Sequence, residues 1–369
     1  MSGAIKIVCA VGTRPEAIKM APVINALKAE PWCITEVLST AQHRDLLAPV
    51  FNIFGIQPNY ELNVMEAGQT LQSLTSKILV QSGQILEQLA PQMVLVHGDT
   101  TTAFALALSA FYLKTDVGHV EAGYRTFDLA NPFPEELNRS LIARIARLHF
   151  APSEQAVANL LKEGIAKASI TMTGNTVIDA LMTVATRAQQ MPSKLPAHIR
   201  QVTITAHRRE NIGAPFQRIC DAIIHLARQH PDVRFLFVLH PNPAIRLKAE
   251  QRLAGLDNID LVEPMDYLTF VGSIRQSTVM LSDSGGVQEE APALGVPVVL
   301  IREKTERPEA SDSGLLDIVG TNTEAIIAAV NKRLAQGLTC RSNGLVSPYG
   351  DGHAAKRIIG AIKHHFEIA

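Results

Sequence analysis

Three carboxylates lie close behind predicted strands in the first half of the chain. Asp99 lies two residues after the strand candidate Met93–His97. Glu121 directly follows the strand candidate Asp116–Val120, and Glu135 lies in the connection after it. Like charges held close together raise the pKa of at least one group, so one carboxylate can act as a base while another holds a proton. The spacing therefore predicts proton-transfer chemistry, whereas for Asp99 taken singly a helix N-cap and an acid or base are equally supported.

A glycine-rich turn precedes a predicted helix in the second half of the chain. Its residues are Ser284, Gly285 and Gly286. Because the turn follows the strand candidate Val279–Ser282, its backbone N–H groups are open to a phosphate at a helix N-terminus. Glu290, about a turn and a half into that helix, is placed to accept hydrogen bonds from both ribose hydroxyls. A turn before a core helix would explain the glycines but not the acidic residue, so the segment predicts a nucleotide site.

Basic and histidine side chains occupy further strand ends. Arg14 and Lys19 follow the first predicted strand, where anion binding and a tight turn with solvated charges explain them equally well. The turn before Arg14 lacks the G-x-G-x-x-G spacing of a dinucleotide site. His207 and Arg209 follow the first strand of the second half and could contact a diphosphate, although a single histidine there is more often structural. His240 follows the next strand, where both roles are equally supported.

Short apolar runs alternate with helix-period segments along the whole chain, which is the pattern of parallel sheets covered by helices. Strands of the first half are predicted at Lys6–Val11, Ile34–Ser39, Met93–His97, Asp116–Val120, His149–Ala151 and Ile170–Met172. Those of the second half are predicted at Val202–Thr205, Phe235–Leu239, Ile259–Val262, Val279–Ser282 and Val296–Ile301. Helices are predicted at Glu16–Ala29 and Leu71–Leu89, and a surface loop at Met191–Pro196. The 369 residues therefore predict an α/β fold of two Rossmann-like domains with ligands at the strand ends.

The composition argues against several classes of protein. The 34 lysine and arginine residues nearly equal the 35 acidic residues, so the net charge gives no indication of a nucleic-acid or membrane partner. The four cysteines form no C-x-x-C pair, and we predict reduced thiols without a metal site or a disulfide framework. The N-terminus has no export signal, and the longest apolar run, Ala103–Leu113, is too short to span a bilayer. We expect a cytoplasmic protein.

A series of motifs extends in order over nearly the whole chain. In the first half these are GTRPEAIKMAP at Gly12–Pro22, AQHR at Ala41–Arg44, HGDTTT at His97–Thr102, HVEAG at His119–Gly123, PFPEELNR at Pro132–Arg139 and TGNTVIDAL at Thr173–Leu181. In the second half they are HRREN at His207–Asn211, DSGGVQEEAP at Asp283–Pro292, TERPEA at Thr305–Ala310 and PYGDG at Pro348–Gly352. The series resembles the non-hydrolysing UDP-N-acetylglucosamine (UDP-GlcNAc) 2-epimerases of bacterial type.

The resemblance implies a GT-B fold with a cleft between two Rossmann-like domains. It implies an N-terminal domain at residues 1–173 with a C-terminal helix, about 354–369, packed back on it, and a UDP-binding domain at residues 174–353. It also implies a homodimer that needs no cofactor and takes UDP-GlcNAc and UDP-N-acetylmannosamine (UDP-ManNAc) as substrate and product.

Residue roles follow from the same resemblance. The implied catalytic residues are Asp99, Glu121, Glu135, His207 and Lys19. The implied UDP ligands are Arg14, His207, Ser284, Gly285, Gly286 and Glu290. A second, allosteric UDP-GlcNAc molecule would contact Gln42, His43, Gln69, Arg209 and His240.

The implied reaction inverts C2 of the sugar by eliminating UDP to 2-acetamidoglucal and adding it back, which supplies N-acetylmannosamine for surface polysaccharide. Two faces of C2 require two proton carriers, and this accounts for the acidic set. Four alternatives stay open at this stage: a hydrolysing 2-epimerase, a 2-epimerase of a UDP-diacetamido-uronic acid, a GT-B glycosyltransferase and a sugar-nucleotide sensor without catalysis.

Overall fold

The computed structural model describes residues 4–41, 44–66, 68–190, 199–208, 211–240, 242–303, 314–337 and 347–368. Within these ranges β-strands alternate with α-helices. The strands are β1 (Ile5–Val11), β2 (Cys33–Ser39), β3 (Tyr60–Glu61), β4 (Met93–His97), β5 (Asp116–Val120), β6 (Leu148–Ala151), β7 (Ile170–Met172), β8 (Arg200–Thr205), β9 (Val233–Val238), β10 (Ile259–Val262), β11 (Val279–Ser282), β12 (Val298–Leu300) and β13 (Leu316–Ile318). The helices are α1 (Arg14–Lys28), α2 (Arg44–Phe54), α3 (Leu71–Leu89), α4 (Thr101–Tyr112), α5 (Glu135–Ile145), α6 (Glu154–Lys162), α7 (Thr176–Gln189), α8 (Ala214–Gln229), α9 (Pro243–Leu253), α10 (Tyr267–Gln276), α11 (Gly285–Ala293), α12 (Thr323–Gln336) and α13 (Ala354–His365).

The strands form two parallel sheets. The first has the order β3-β2-β1-β4-β5-β6-β7, and the second has the order β10-β9-β8-β11-β12-β13. Each order reverses at one point, between β1 and β4 in the first sheet and between β8 and β11 in the second. At such a point the connections leave in opposite directions, which opens a crevice at the carboxyl ends of the strands. The predicted α/β class with two parallel sheets is confirmed.

The central strands of both sheets are mostly apolar and buried, as expected of parallel sheets covered by helices. Every residue of β4 and β11 is buried. Val8, Val94 and Leu106 belong to the core of the first sheet. Ile204 and Phe237 belong to the core of the second. In the described part of the chain, no helix is both long enough and apolar enough to cross a membrane.

Where an apolar run ends at a polar residue, the predicted first and last residues of the strand agree with the structure. These strands are Met93–His97, Asp116–Val120, Ile170–Met172, Ile259–Val262 and Val279–Ser282. The strand predicted at Val296–Ile301 is shorter, because Pro297 has no N–H group to donate to the ladder. The short edge strands β3 and β13 were not predicted, and the loop predicted at Met191–Pro196 lies outside the described residues.

Contacts divide the chain into two compact units. The first comprises Met1–Ala180 and Tyr349–Ala369, and the second comprises Leu181–Pro348. Within the first unit, α13 packs against α1. The functional boundary at residue 174 stays a prediction.

Gly123 ends the turn that follows β5. Its backbone has φ of 99°, a conformation that residues with a side chain rarely adopt. A Cβ atom there would lie 2.3 Å from the carbonyl oxygen of Ala156 at the start of α6. Glycine is therefore required both by the conformation and by the close approach of α6.

We expect Gly123→Ala to lower the midpoint of thermal unfolding, measured by circular dichroism, well beyond the effect of the matched variant Gly164→Ala. Gly164 has a similar φ of 81°, but nothing lies within 4 Å of its would-be Cβ. The control therefore carries the backbone strain of about 1 kcal/mol, and Gly123→Ala adds the overpacking, roughly 1–3 kcal/mol. Equal midpoints for the two variants would contradict the close approach of α6.

Candidate active site

Glu121 stands directly after β5 with nitrogen donors around one of its carboxylate oxygens. Lys19 of α1 forms an ion pair with Oε2. The side-chain amide of Asn175 donates a hydrogen bond to the same oxygen at 2.9 Å. His97 Nε2 lies 3.7 Å from it. Only 11% of the Glu121 side chain is exposed, so these groups replace the water that a carboxylate would otherwise bind.

The backbone of Glu121 has φ of 63°, which is uncommon for a residue other than glycine. Such a conformation costs roughly 1–3 kcal/mol and persists only where the surroundings hold it. Backbone strain at a charged residue behind a strand is typical of functional sites.

His97, the last residue of β4, is buried beside this carboxylate. Burial lowers the pKa of His97 to about 4, although the Glu121 carboxylate opposes the shift. His97 is therefore uncharged at neutral pH. The positive partner of Glu121 is accordingly Lys19, not the imidazole.

Asp99 follows β4 on the neighbouring connection. Its Oδ2 atom lies 2.8 Å from Arg139 of α5, and about a third of its side chain is exposed. Burial raises the pKa of Asp99 to about 6, the Arg139 guanidinium opposes this, and the charges of Glu121 and Glu135 add to it. Asp99 can therefore hold or release a proton near neutral pH, which suits an acid or base.

The structure separates the roles of the adjacent residues Glu135 and Glu136. Glu136 is buried and accepts hydrogen bonds from the backbone N–H groups of Thr126 and Phe127 at 3.0 and 2.9 Å, so it holds the preceding loop. Glu135 is the first residue of α5, and its charge acts on Asp99. The structure thus brings Glu135 together with Asp99, Glu121 and Lys19.

Glu16 connects two of the loops that carry these residues. It accepts hydrogen bonds from the N–H groups of Gly12 and Thr13 and from the hydroxyl of Thr100. Thr13 and Glu16 form a capping box at the start of α1. A Cβ atom on Gly12 would lie 2.3 Å from the hydroxyl oxygen of Thr102, so the loop packs directly on the start of α4.

In the second unit, His207 and Asp283 form a pair across the switch point between β8 and β11. His207 Nδ1 lies 3.0 Å from Asp283 Oδ1, and the other carboxylate oxygen accepts hydrogen bonds from His207 N, Arg208 N and Asn211 Nδ2. Although burial disfavours its charged form, these donors hold the pKa of Asp283 below its usual range. A charged acceptor at Nδ1 leaves Nε2 of His207 as the nitrogen for a ligand.

His240 stacks on His207, with ring centroids 5.3 Å apart and planes inclined by 14°. The N–H group of Asn242 donates to Nδ1 of His240 at 3.1 Å, so that nitrogen carries no proton. Burial lowers the pKa of His240, and the charge of His207 lowers it further. The stack therefore joins the loops that follow β8 and β9.

The first turn of α11 has the open N–H groups expected of an anion site. Ser284 is its N-cap but makes no capping hydrogen bond with its side chain, and Gly285 and Gly286 begin the helix. The first N–H groups of a helix have no partner within it and carry its positive dipole end. Glu290 is nearly buried and accepts a hydrogen bond from the hydroxyl of Tyr267 at 2.9 Å. A Cβ atom on Gly286 would lie 3.8 Å from Glu290 Oε2, so this side chain extends back along the same helix face.

Of the remaining predicted residues, the structure describes Arg14 and Gln69, and neither takes part in the contacts given above. Arg14 is half-buried at the start of α1. Gln69 stabilises its own loop, since its amide donates to the carbonyl of Val64 at 2.8 Å. Gln42, His43 and Arg209 lie outside the described residues. Among the described residues, no cluster of three or more histidine, cysteine and acidic side chains has the geometry to hold a metal ion.

Known proteins match nearly the whole chain. A family model described as UDP-N-acetylglucosamine 2-epimerase matches residues 25–363. The chain belongs to this epimerase family. It is 46% identical to a probable UDP-N-acetylglucosamine 2-epimerase of Ralstonia nicotianae, over 98% of this chain and 99% of that protein. The UDP-N-acetylglucosamine 2-epimerase of Yersinia pestis is 44% identical, with the same coverage of 98% and 99%.

A solved structure extends the match to three dimensions. The crystal structure of the Neisseria meningitidis UDP-GlcNAc 2-epimerase bound to UDP-GlcNAc is 42% identical to this chain and has a TM-score of 0.90. The match covers 98% of this chain and 100% of that one. The GT-B-like fold and the enzyme class, an isomerase, are confirmed.

We expect the carboxyl group of Asp99 to titrate near pH 6, measured by carbon-13 NMR of labelled aspartate and assigned by its loss in Asp99→Asn. Arg139→Gln should raise this midpoint, because the guanidinium favours the charged carboxylate. Arg144→Gln, an exposed arginine on the same helix, is the matched control and should leave it unchanged. A wild-type midpoint near the ordinary value of 3.8 would contradict the described environment.

Proposed function

We propose that the protein catalyses the reversible, non-hydrolysing epimerisation of UDP-GlcNAc at C2 to UDP-ManNAc. The observation that carries the proposal is the pair of carboxylates in different environments on one sheet edge. Glu121 is held by Lys19 and an amide donor, whereas the pKa of Asp99 is raised to about 6. Inversion at C2 requires one group to take a proton and another to deliver one.

The reaction proceeds by elimination and addition. As the bond between C1 and the UDP oxygen breaks, positive charge builds at C1 and makes the C2 hydrogen acidic. A carboxylate takes that proton, which leaves 2-acetamidoglucal and UDP. Protonation of C2 from the opposite face and return of the UDP oxygen to C1 give the epimer. Glu121 and Asp99 serve as the two proton carriers, with Glu135 tuning Asp99.

The second unit supplies the proposed UDP ligands. The N–H groups of Gly285 and Gly286 and the hydroxyl of Ser284 suit a phosphate, and Glu290 suits the ribose hydroxyls. The Nε2 atom of His207, oriented by Asp283, suits the diphosphate oxygens and the charge that develops on the leaving group. Arg14 of α1 is proposed as a further diphosphate ligand. The presence of UDP-GlcNAc in the Neisseria meningitidis relative supports this ligand class.

We expect Asp99→Asn and Glu121→Gln to bind UDP with an unchanged Kd in calorimetry but to lose at least about 100-fold in kcat, because general acid–base groups contribute on that scale. Glu290→Gln is the matched opposite: it should weaken UDP binding and leave the proton carriers intact. When the reaction runs in heavy water, deuterium should appear at C2 of the product, and proton NMR measures it.

The same NMR experiment separates the alternatives. Product without deuterium at C2, or either acid variant with near-normal turnover, would overturn the mechanism. Release of free N-acetylmannosamine and UDP would indicate a hydrolysing epimerase. No conversion of UDP-GlcNAc in the absence of an acceptor substrate would indicate a glycosyltransferase. Turnover of a UDP-diacetamido-uronic acid in preference to UDP-GlcNAc would change the substrate but keep the chemistry.

Allosteric activation by a second UDP-GlcNAc molecule belongs to the same proposal. The predicted ligands are Gln42, His43, Gln69, Arg209 and His240, of which His240 stacks directly on His207. Activation requires the second molecule to bind one conformational state more tightly than another. A strictly hyperbolic dependence of the rate on UDP-GlcNAc, without activation of the reverse reaction, counts against it.

The proposal also includes the oligomeric state, the location and the biological role. The protein forms a homodimer in the cytoplasm, and its product supplies N-acetylmannosamine units for surface polysaccharide. Exposed apolar side chains at Val80, Phe111 and Tyr112 lie on the packed helices α3 and α4, and a second subunit would cover such a surface. Sedimentation velocity of the purified protein tests the dimer, and a monomer at micromolar concentration would argue against it.

A further inference from the structure

Three of the hydrogen bonds of Asn175 tie separate parts of the first unit together. Its side-chain amide donates to Glu121 Oε2 at 2.9 Å. Its backbone N–H donates to the carbonyl of Tyr349 at 2.7 Å. Its Oδ1 atom accepts from the N–H of Val177, the second residue of α7, at 3.0 Å. The residue is 2% exposed, so these bonds take place away from water.

The two side-chain hydrogen bonds fix which end of the amide faces Glu121. The N–H group of Val177 can only donate, so it requires the amide oxygen on its side. The carboxylate of Glu121 in its charged form can only accept, so it requires the NH₂ group. Both demands are met by one orientation of the amide, and the reverse orientation would lose both hydrogen bonds.

Asn175 also stands where the chain leaves and re-enters the first unit. α7 begins at the next residue, and the first unit ends within that helix, at Ala180. The chain returns to the unit at Tyr349, the residue whose carbonyl Asn175 binds. Gly174 lets the two segments approach, since a Cβ atom there would lie 3.3 Å from the same carbonyl oxygen.

We infer that Asn175 is a positioning residue for Glu121. It holds the Glu121 carboxylate in the orientation that takes or delivers the C2 proton, and it links this carboxylate to the two segments through which the chain leaves and re-enters the first unit. The role differs from that of Lys19. A lysine side chain has four rotatable bonds and supplies charge, whereas the short amide is fixed by the N-cap bond and supplies direction. This inference rests on the proposed function for its catalytic consequence.

The pH dependence of Glu121 follows from the groups that face it. Lys19 of α1 favours its charged form, and the carboxylate of Asp99 disfavours it. His97 of β4 is neutral at the pH of the reaction. Asn175 adds a hydrogen bond to the charged form without adding a charge. Removing that bond must raise the pKa of Glu121. If Glu121 acts as the base, it becomes protonated at a higher pH as the pH falls, so the variant loses activity at a higher pH than the wild type.

Asn175→Asp is the sharpest test, because aspartate keeps the size of the side chain and the oxygen that caps α7 but replaces the NH₂ donor with a second oxygen. We expect kcat to fall by at least about tenfold with KM changed by less than about threefold, since a hydrogen bond to a charged group is lost and a like charge is gained. The acidic limb of the pH profile of kcat should move up by about one unit. Asn175→Ala, which also removes the cap, should lose activity and thermal stability together.

Asn322→Asp is the matched control, since Asn322 caps α12 through the N–H group of Ala325 in the same way. It should leave kcat and the pH profile unchanged. Wild-type kcat and pH profile in Asn175→Asp would show that Asn175 acts only as a helix cap and would overturn the inference.

A direct titration separates this inference from the proposed function. The carboxyl carbon of Glu121, assigned by its loss in Glu121→Gln, is followed by carbon-13 NMR in the wild type and in Asn175→Asp. The inference expects a higher midpoint in the variant, whatever reaction the protein catalyses. An unchanged midpoint overturns it even if the wild type epimerises UDP-GlcNAc, whereas a wild type without epimerase activity and with a shifted midpoint overturns only the proposed function.

Discussion

A carboxylate that is nearly buried keeps its charge only where nitrogen donors replace the water it has lost. Glu121 meets this condition through Lys19 and Asn175, which approach the same oxygen from α1 and from the segment before α7. These donors are far apart in sequence, so β5, α1 and the start of α7 must all be in place before the charge is stabilised. The strained backbone of Glu121 is held by the same contacts.

Asp99 experiences a different balance on the adjacent connection. The cations Arg139 and Lys19 act on it against two neighbouring carboxylates, and it is more exposed than Glu121. The two acids therefore lie in different electrostatic environments because of their positions, although their side-chain chemistry is almost the same. Burial keeps His97 neutral, so its ring adds no further positive charge that would favour the charged forms of the two acids.

The sequence predicted what depends on local pattern. Apolar runs that end at polar residues located most central strands, and their parallel arrangement placed Asp99, Glu121 and the turn at Ser284 at strand ends. The partners of these residues were not predicted, because Asn175 lies 54 residues from Glu121 in the chain, and no local pattern indicates such a contact. Glu16 is an exception that could have been found, since the capping box at Thr13 is a local signal. The edge strands β3 and β13 were missed because two or three residues carry too little periodicity.

The topology of the two sheets has a further consequence for evolution. The proposed catalytic and nucleotide-binding residues lie after strands or within the first two turns of the helices that begin there. The opposite, amino edge is built from short connections such as 29–32 and 230–232, which carry none of them. Selection for folding acts on both edges, but selection for catalysis acts on only one of them. Insertions and substitutions can therefore accumulate at the amino edge while the chemistry at the carboxyl edge is inherited unchanged.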